Sequence, residues 1–256
     1  MRGGALSLQG LRRTFGGIVA TNDVSLDFAA GSLSAIIGPN GAGKTTLFHL
    51  ITGMIPPSAG RVFLDGQDIT GLDRQAIVRR GIGRAFQVAS LFPSFTVAES
   101  LAAAILTHEG RTANLFRAFP PRDAAARAEE VMELCGLRPL ADTVSRQLSH
   151  GDQKLLDIAL ALALDPKVLL LDEPTAGMGP EERWRMIDRI HRLWQARRMT
   201  LIFIEHDMDI VFRIAETVRV LRYGTVLAQG TPEEIRRDPA VIEAYLGSEH
   251  ALEAVP

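Results

Sequence analysis

Nine consecutive residues, Gly38-Pro39-Asn40-Gly41-Ala42-Gly43-Lys44-Thr45-Thr46, have the types and spacing of a loop that grips phosphate, G-x-x-x-x-G-K-[ST]. Gly38, Gly41 and Gly43 let the backbone take positive-φ turns and approach a ligand closely, so that N–H groups along Asn40, Gly41, Ala42 and Gly43 turn toward phosphate oxygens. A helix start after the loop adds its free N–H groups and the positive end of its dipole. Lys44 reaches the β and γ phosphates as a point charge, and the Thr45 hydroxyl is an oxygen ligand suited to Mg²⁺. Thr46 caps or packs the start of the helix.

Five further groups could act on what such a loop holds. Asp172 and Glu173 end the apolar run Val168-Leu169-Leu170-Leu171, and two carboxylates at the tip of a buried strand are costly unless they bind metal or polarise water. Side chains alternate along a strand, which predicts that one acid faces the Mg²⁺ shell and the other the attacking water. His206 follows a second buried run, Thr200 to Ile204, where a ring nitrogen can orient water or the γ phosphate, or serve only structure. Gln87 ends the run Gly81 to Phe86, where its amide reaches a metal or a water, or is simply solvated. Leu148-Ser149-His150-Gly151-Asp152-Gln153 opens a long helical pattern with Ser149 as N-cap; its free N–H groups make either a second anion site or only a well-capped helix. Phe15, on the turn before Gly16-Gly17, offers its face to a purine or packs in the core.

These groups need elements to hold them. Leu33 to Ile37 reads as the strand entering the phosphate loop, and Thr46 to Thr52 as the helix leaving it. Ala5 to Phe28 alternates like antiparallel strands, Arg61 to Asp65 reads as a short strand, and Thr217 to Gln229 as a hairpin turning at Tyr223-Gly224. Ser94 to Cys135 has helical periodicity with an irregular break at Gly110 to Pro121 and no strand signal, so it reads as a helical insertion in an α/β core, a natural place for a partner surface. Glu181 to Arg197 is an amphipathic helix, and Pro232 to Leu246 holds short helices.

The 256 residues suffice for a large α/β domain with a sizeable buried core. Lysine and arginine total 28 against 30 acids, a net charge of −2, which argues against a chain wrapped in nucleic acid or held on anionic lipid by charge alone. The single cysteine, Cys135, cannot form an intramolecular disulfide and reads as a small buried apolar residue. No apolar block approaches the roughly 20 residues of a membrane helix, and Met1 to Gly17 lacks the apolar core of a secretory signal. A membrane role is expected to come through a partner.

In this order the motifs resemble those of the ATP-binding subunit of an ABC transporter, over nearly the whole chain. Gly38 to Thr45 is similar to Walker A, Gln87 to the Q-loop, Leu148 to Gln153 to the signature, Val168 to Asp172 to Walker B, Glu173 to the catalytic glutamate and His206 to the switch histidine. Phe15 falls where such proteins stack an aromatic on adenine. Phe15-Gly16-Gly17, Gly83-Arg84-Ala85-Phe86-Gln87, Glu173-Pro174-Thr175-Ala176-Gly177-Met178 and Ala244-Tyr245-Leu246-Gly247 are similar to importers of branched-chain amino acids, a branch that includes urea and amide importers. His150 and Asp152 depart from the usual L-S-G-G-Q, and Gly179 stands where the loop after Walker B usually ends in Asp.

The resemblance implies a P-loop NTPase core with a mostly parallel central sheet, an N-terminal antiparallel β subdomain and a helical subdomain at about 94–164, within a single domain spanning 1–256. It implies ATP and Mg²⁺, with Thr45, Gln87 and Asp172 around the metal and Glu173, His206, Lys44 and Gln87 in catalysis. Two such subunits, identical or related, would pair head to tail, with Ser149, His150, Gly151 and Asp152 of one facing the ATP of the other. Two membrane permeases and, through them, a periplasmic solute-binding protein complete the implied assembly, at the cytoplasmic face of a bacterial inner membrane and without nucleic acid. A soluble relative acting on nucleic acid or the ribosome would carry a coiled-coil insertion, a second cassette or a basic surface, and this chain has none. A slow P-loop switch would have no need of Glu173 beside Asp172.

Overall fold

The chain begins with a hairpin of alternating residues, β1 (Leu6–Phe15) and β2 (Ile18–Phe28), turning at Gly16-Gly17. A computed structural model describes residues 3–85, 93–111 and 119–250. The fully buried β3 (Leu33–Ile37) then leads through the glycine loop into α1 (Lys44–Ile51). Next come β4 (Ala59–Leu64), β5 (Gln67–Asp68), α2 (Arg74–Arg80) and β6 (Ile82–Ala85). α2 is bounded by an Asp73 side-chain cap and by Gly81 in the left-handed region.

Helices follow without strands: α3 (Val97–His108), opened by a Thr96/Glu99 capping box, α4 (Arg122–Cys135), and α5 (His150–Ala163), whose N-cap Ser149 accepts from the Asp152 N–H. β7 (Val168–Asp172), α6 (Pro180–Arg197), β8 (Thr200–Ile204), α7 (Met208–Ile214), the hairpin β9 (Thr217–Arg222) and β10 (Thr225–Gly230), then α8 (Pro232–Arg237) and α9 (Pro239–His250) complete the order.

Two sheets result. One is antiparallel, in the order β2-β1-β4-β5; the other runs β10-β9-β3-β8-β7-β6, parallel apart from β10. Alternation within the second sheet sorts its side chains into two cores. Ala35, Ile37, Leu169, Leu171, Leu201 and Phe203 face a core shared with α3, α4, α5 and α6. Ile36, Val168, Leu170, Ile202 and Ile204 face a second core with α1 and the antiparallel sheet. Because β3, β8, β7 and β6 are parallel and in register, their carboxyl ends share one edge, where loops of an open α/β sheet present functional groups. No helix among the described residues is long and apolar enough to cross a membrane.

Candidate functional site

The glycine loop occupies the end of β3. Gly38, Gly41 and Gly43 all have positive φ, at 151°, 76° and 97°, but for different neighbours. A Cβ on Gly38 would collide with the Leu221 carbonyl of β9 and one on Gly43 with the Ala20 carbonyl of β2, whereas Gly41 faces open space. Two glycines therefore let protein backbone close on the loop, and the third leaves its outer face open. Lys44 is buried and donates through Nζ to the carbonyls of Gly38 (2.6 Å) and Pro39 (3.1 Å), so its charge sits within the loop's curl. Burial lowers its pKa, while the charges of Glu173 and Asp172 pull it back up, which brings both acids within electrostatic reach of the lysine. Thr45 and Asn40 are exposed, and Thr46 is half-buried behind them.

Asp172 has the parity of Val168 and Leu170, and so lies on the sheet face covered by α1. Arg84, with the parity of Ile82 on β6, meets it there: Nη2 donates to Oδ2 at 2.7 Å, both side chains being about 8 % exposed. Burial lowers the Arg84 pKa against the pull of Asp172, and the guanidinium also lies 5.7 Å from the Phe48 ring of α1. Nothing in the sequence near Arg84 signals this pairing: the acid is 88 positions away, and only strand order makes them neighbours.

Glu173 is set apart from Asp172 by a turn, not by strand alternation. The strand ends at Asp172, and Glu173 takes the left-handed φ of 47°. Its N–H still donates to Ile204 of β8 at 3.0 Å, while its side chain swings to the next strand end, where Oε1 lies 3.0 Å from His206 Nε2. His206 is positioned by a neighbour that the sequence did not single out. Buried Glu205 accepts from the His206 N–H at 3.1 Å through one oxygen and from the Thr175 N–H and hydroxyl through the other. Glu205 thus ties the loop after β7 to the loop after β8.

Ser149 caps α5 with an exposed hydroxyl that donates to Asp152 Oδ2 at 2.7 Å. His150 Nε2 lies 3.4 Å from the Ala176 carbonyl, and Gly151 is so tightly covered by the Glu182 carboxylate that a Cβ there would collide with Oε1. Phe15 is 45 % exposed, with the Arg13 guanidinium 4.7 Å from its ring. It is therefore a surface ring and not a core residue. Gln87 lies outside the described residues.

One sheet edge thus brings together a lysine charge in a glycine loop, an acid on the α1 face and a carboxylate–imidazole pair, while Ser149 to Asp152 open a separate helix. A loop of this form between β3 and α1, with acids from a parallel strand beside it, defines a P-loop nucleoside triphosphatase.

Comparison with known proteins narrows the class. The family model described as ABC transporter matches residues 21–176, and one described as branched-chain amino acid ATP-binding cassette transporter matches residues 225–251. The high-affinity branched-chain amino acid transport ATP-binding protein LivG of Escherichia coli (strain K12) is 40 % identical over 250 residues, covering 94 % of this chain and 97 % of LivG. The ADP conformation of MJ1267, an ATP-binding cassette of an ABC transporter, superposes with a TM-score of 0.84 at 31 % identity over 96 % of this chain and 99 % of that one. A dimeric post-hydrolysis structure of the cassette MJ0796 with ADP and Pi gives 0.74 at 26 % identity, over 89 % and 98 %. The chain belongs to the ABC transporter family and is an ATPase of that family.

Proposed function

We propose that this chain hydrolyses ATP to drive an importer for branched-chain or other hydrophobic amino acids, or related small amides. The observation that carries the hydrolytic part is the Glu173–His206 pair at 3.0 Å, close enough to Lys44 for Glu173 to act on its charge. The similarity to LivG and the match at residues 225–251 support the solute class.

In this reading the N–H groups of Asn40 to Thr46 and the Lys44 ammonium bind the phosphates, and Phe15 stacks on adenine. Lys44 then stabilises the charge that develops on the γ phosphate. Glu173 polarises the attacking water, and His206, oriented by its contact with that carboxylate, holds the γ phosphate. The oxygen donors Thr45 and Asp172 would hold Mg²⁺, which would supply neutralisation of phosphate charge. Gln87 is proposed to join that shell. Arg84 pairs with the buried Asp172 carboxylate and holds it on the α1 face of the sheet.

The dimeric MJ0796 cassette supports pairing of two such chains, with Ser149, His150, Gly151 and Asp152 of one against the nucleotide of the other. Glu182 lies over Gly151 in the single chain and must move aside for a phosphate to reach it. Two permease subunits would carry the solute across a bacterial inner membrane, with this chain bound at the cytoplasmic face. Co-expression with membrane subunits encoded beside it tests the assignment. The expected result is recovery in the membrane fraction and ATP turnover stimulated by a leucine-loaded solute-binding protein. Recovery free of membranes, with turnover indifferent to permeases and solute, would sink it.

A further inference from the structure

Glu173 holds a left-handed backbone conformation without being glycine, and such a conformation persists only where its surroundings impose it. Four contacts do so. Its N–H is taken by the Ile204 carbonyl. Its carboxylate meets His206. Its carbonyl accepts twice, from the Ala176 N–H at 3.2 Å and from the Lys154 ammonium at 3.0 Å. The first three partners belong to β7, β8 and the loops that follow them. Lys154 alone comes from outside that group, from α5.

The lysine is placed for this contact by its helix. Leu155 and Leu156 are buried in the α5 core, which fixes the rotation of the helix and directs Lys154 to the end of β7. There it shares a small cavity with Asp157, Asp172, Glu173 and Pro174. Burial lowers its pKa, while Glu205, Glu173 and Asp157 act to keep it charged. A carbonyl bonded by a charged donor in such a setting is held more strongly than by a neutral one.

We propose that Lys154 is a positioning residue for ATP hydrolysis: it grips the Glu173 carbonyl, fixes the turn that aims the Glu173 carboxylate, and couples that turn to the start of α5. Ser149 and Lys154 are five residues apart on one rigid helix, a rise of about 7 Å. A displacement of the Ser149–Gly151 end on meeting a partner's nucleotide therefore reaches this chain's own carboxylate through the Lys154 side chain. The inference rests on the proposed role of Glu173.

The test compares Lys154→Met, which keeps length and apolar stem but cannot donate, with Lys154→Arg, which can. Each is made in the full-length chain and in the Glu173→Gln background. Lys154→Met is expected to lower kcat about 10- to 100-fold, the scale of one lost charged hydrogen bond, with little change in KM for ATP and a melting temperature lowered by only a few degrees, so that the protein is folded at the assay temperature. Lys154→Arg should recover most of the rate. In the Glu173→Gln background Lys154→Met should cost nothing further, because the group it positions has already been neutralised. Turnover by Lys154→Met within twofold of the parent would overturn the inference, as would failure of arginine to rescue a folded protein or a full additional loss in the double variant. Near-parental turnover by Glu173→Gln alone is a different failure, since it removes the role of Glu173 on which this inference stands.

Discussion

Replacing Asp157 by asparagine should stabilise this protein above neutrality and leave it unchanged in acid. Asp157 is buried on α5, among Ile158, Leu171 and Pro174, and burial raises its pKa to about 7 against the opposing pull of Lys154. Below about pH 4 the carboxyl is protonated in both folded and unfolded chains and contributes nothing. Between about pH 4 and about pH 7 the unfolded chain releases its proton while the native chain retains it, so stability falls as pH rises, by about 1.4 kcal/mol per pH unit. Above about pH 7 both are ionised and the loss is constant. The interval from 3.8 to about 7 corresponds to about 4 kcal/mol; hydration at the cavity edge reduces this to about 2 kcal/mol. Asp157→Asn is neutral at every pH and escapes this loss. Melting curves of the two proteins from about pH 4 to about pH 8 should coincide at the acid end and separate by about 5 °C at the alkaline end, with the variant higher. Lys154, Asp172 and Glu173 around the same cavity are present in both proteins and drop out of the difference to first order. A difference that is constant across pH, or a parent that is the more stable at pH 8, would refute the burial argument.

Two further outcomes follow from exposure. Phe15→Ala removes a half-exposed ring and should raise the apparent KM for ATP about fivefold, about 1 kcal/mol, with kcat little changed; an unchanged KM in a folded variant would show that the ring does not stack on the base. Cys135 is 1 % exposed and burial pushes its thiol pKa to about 12, so only about 10⁻⁴ of it is thiolate at pH 8. A thiol reagent should therefore label the native chain slowly and one thiol rapidly after unfolding, and fast labelling of the native chain would contradict that burial.

The residues whose chemistry depends on local spacing were legible in the sequence. Gly38 to Thr45 announces its loop because each residue type is needed within a few positions of the next, and Leu33 to Ile37 and Thr200 to Ile204 announce strands that the structure reproduces to the residue. The helix predicted from Thr46 begins two residues earlier, since the loop's own Lys44 already opens α1. Strand alternation predicts that Asp172 and Glu173 face apart, but Glu173 lies beyond the strand and a left-handed turn sets it apart instead. Arg84, Lys154 and Glu205 were not legible, because each acts on a partner that strand order or helix packing brings near from 88, 19 and 30 positions away. A lysine followed by buried leucines on a helix that otherwise carries a core face was the one available hint. Phe15 shows the reverse: composition alone favours the core for a phenylalanine, while its place at the hairpin turn leaves it at the surface.

The central claim is that Glu173 activates water for ATP held by Lys44, Thr45 and Asp172, in a site completed by a second such chain, identical or related. Glu173→Gln fills the same space without the charge, so nucleotide affinity should persist while turnover falls about 10²- to 10⁴-fold, leaving ATP bound for minutes or longer. Size-exclusion chromatography of that variant with ATP·Mg²⁺ measures the chemistry and the assembly together. The account predicts a dimer that ADP does not support and that Ser149→Arg abolishes. Near-normal hydrolysis by Glu173→Gln, with the protein running as a monomer in ATP·Mg²⁺, would contradict it.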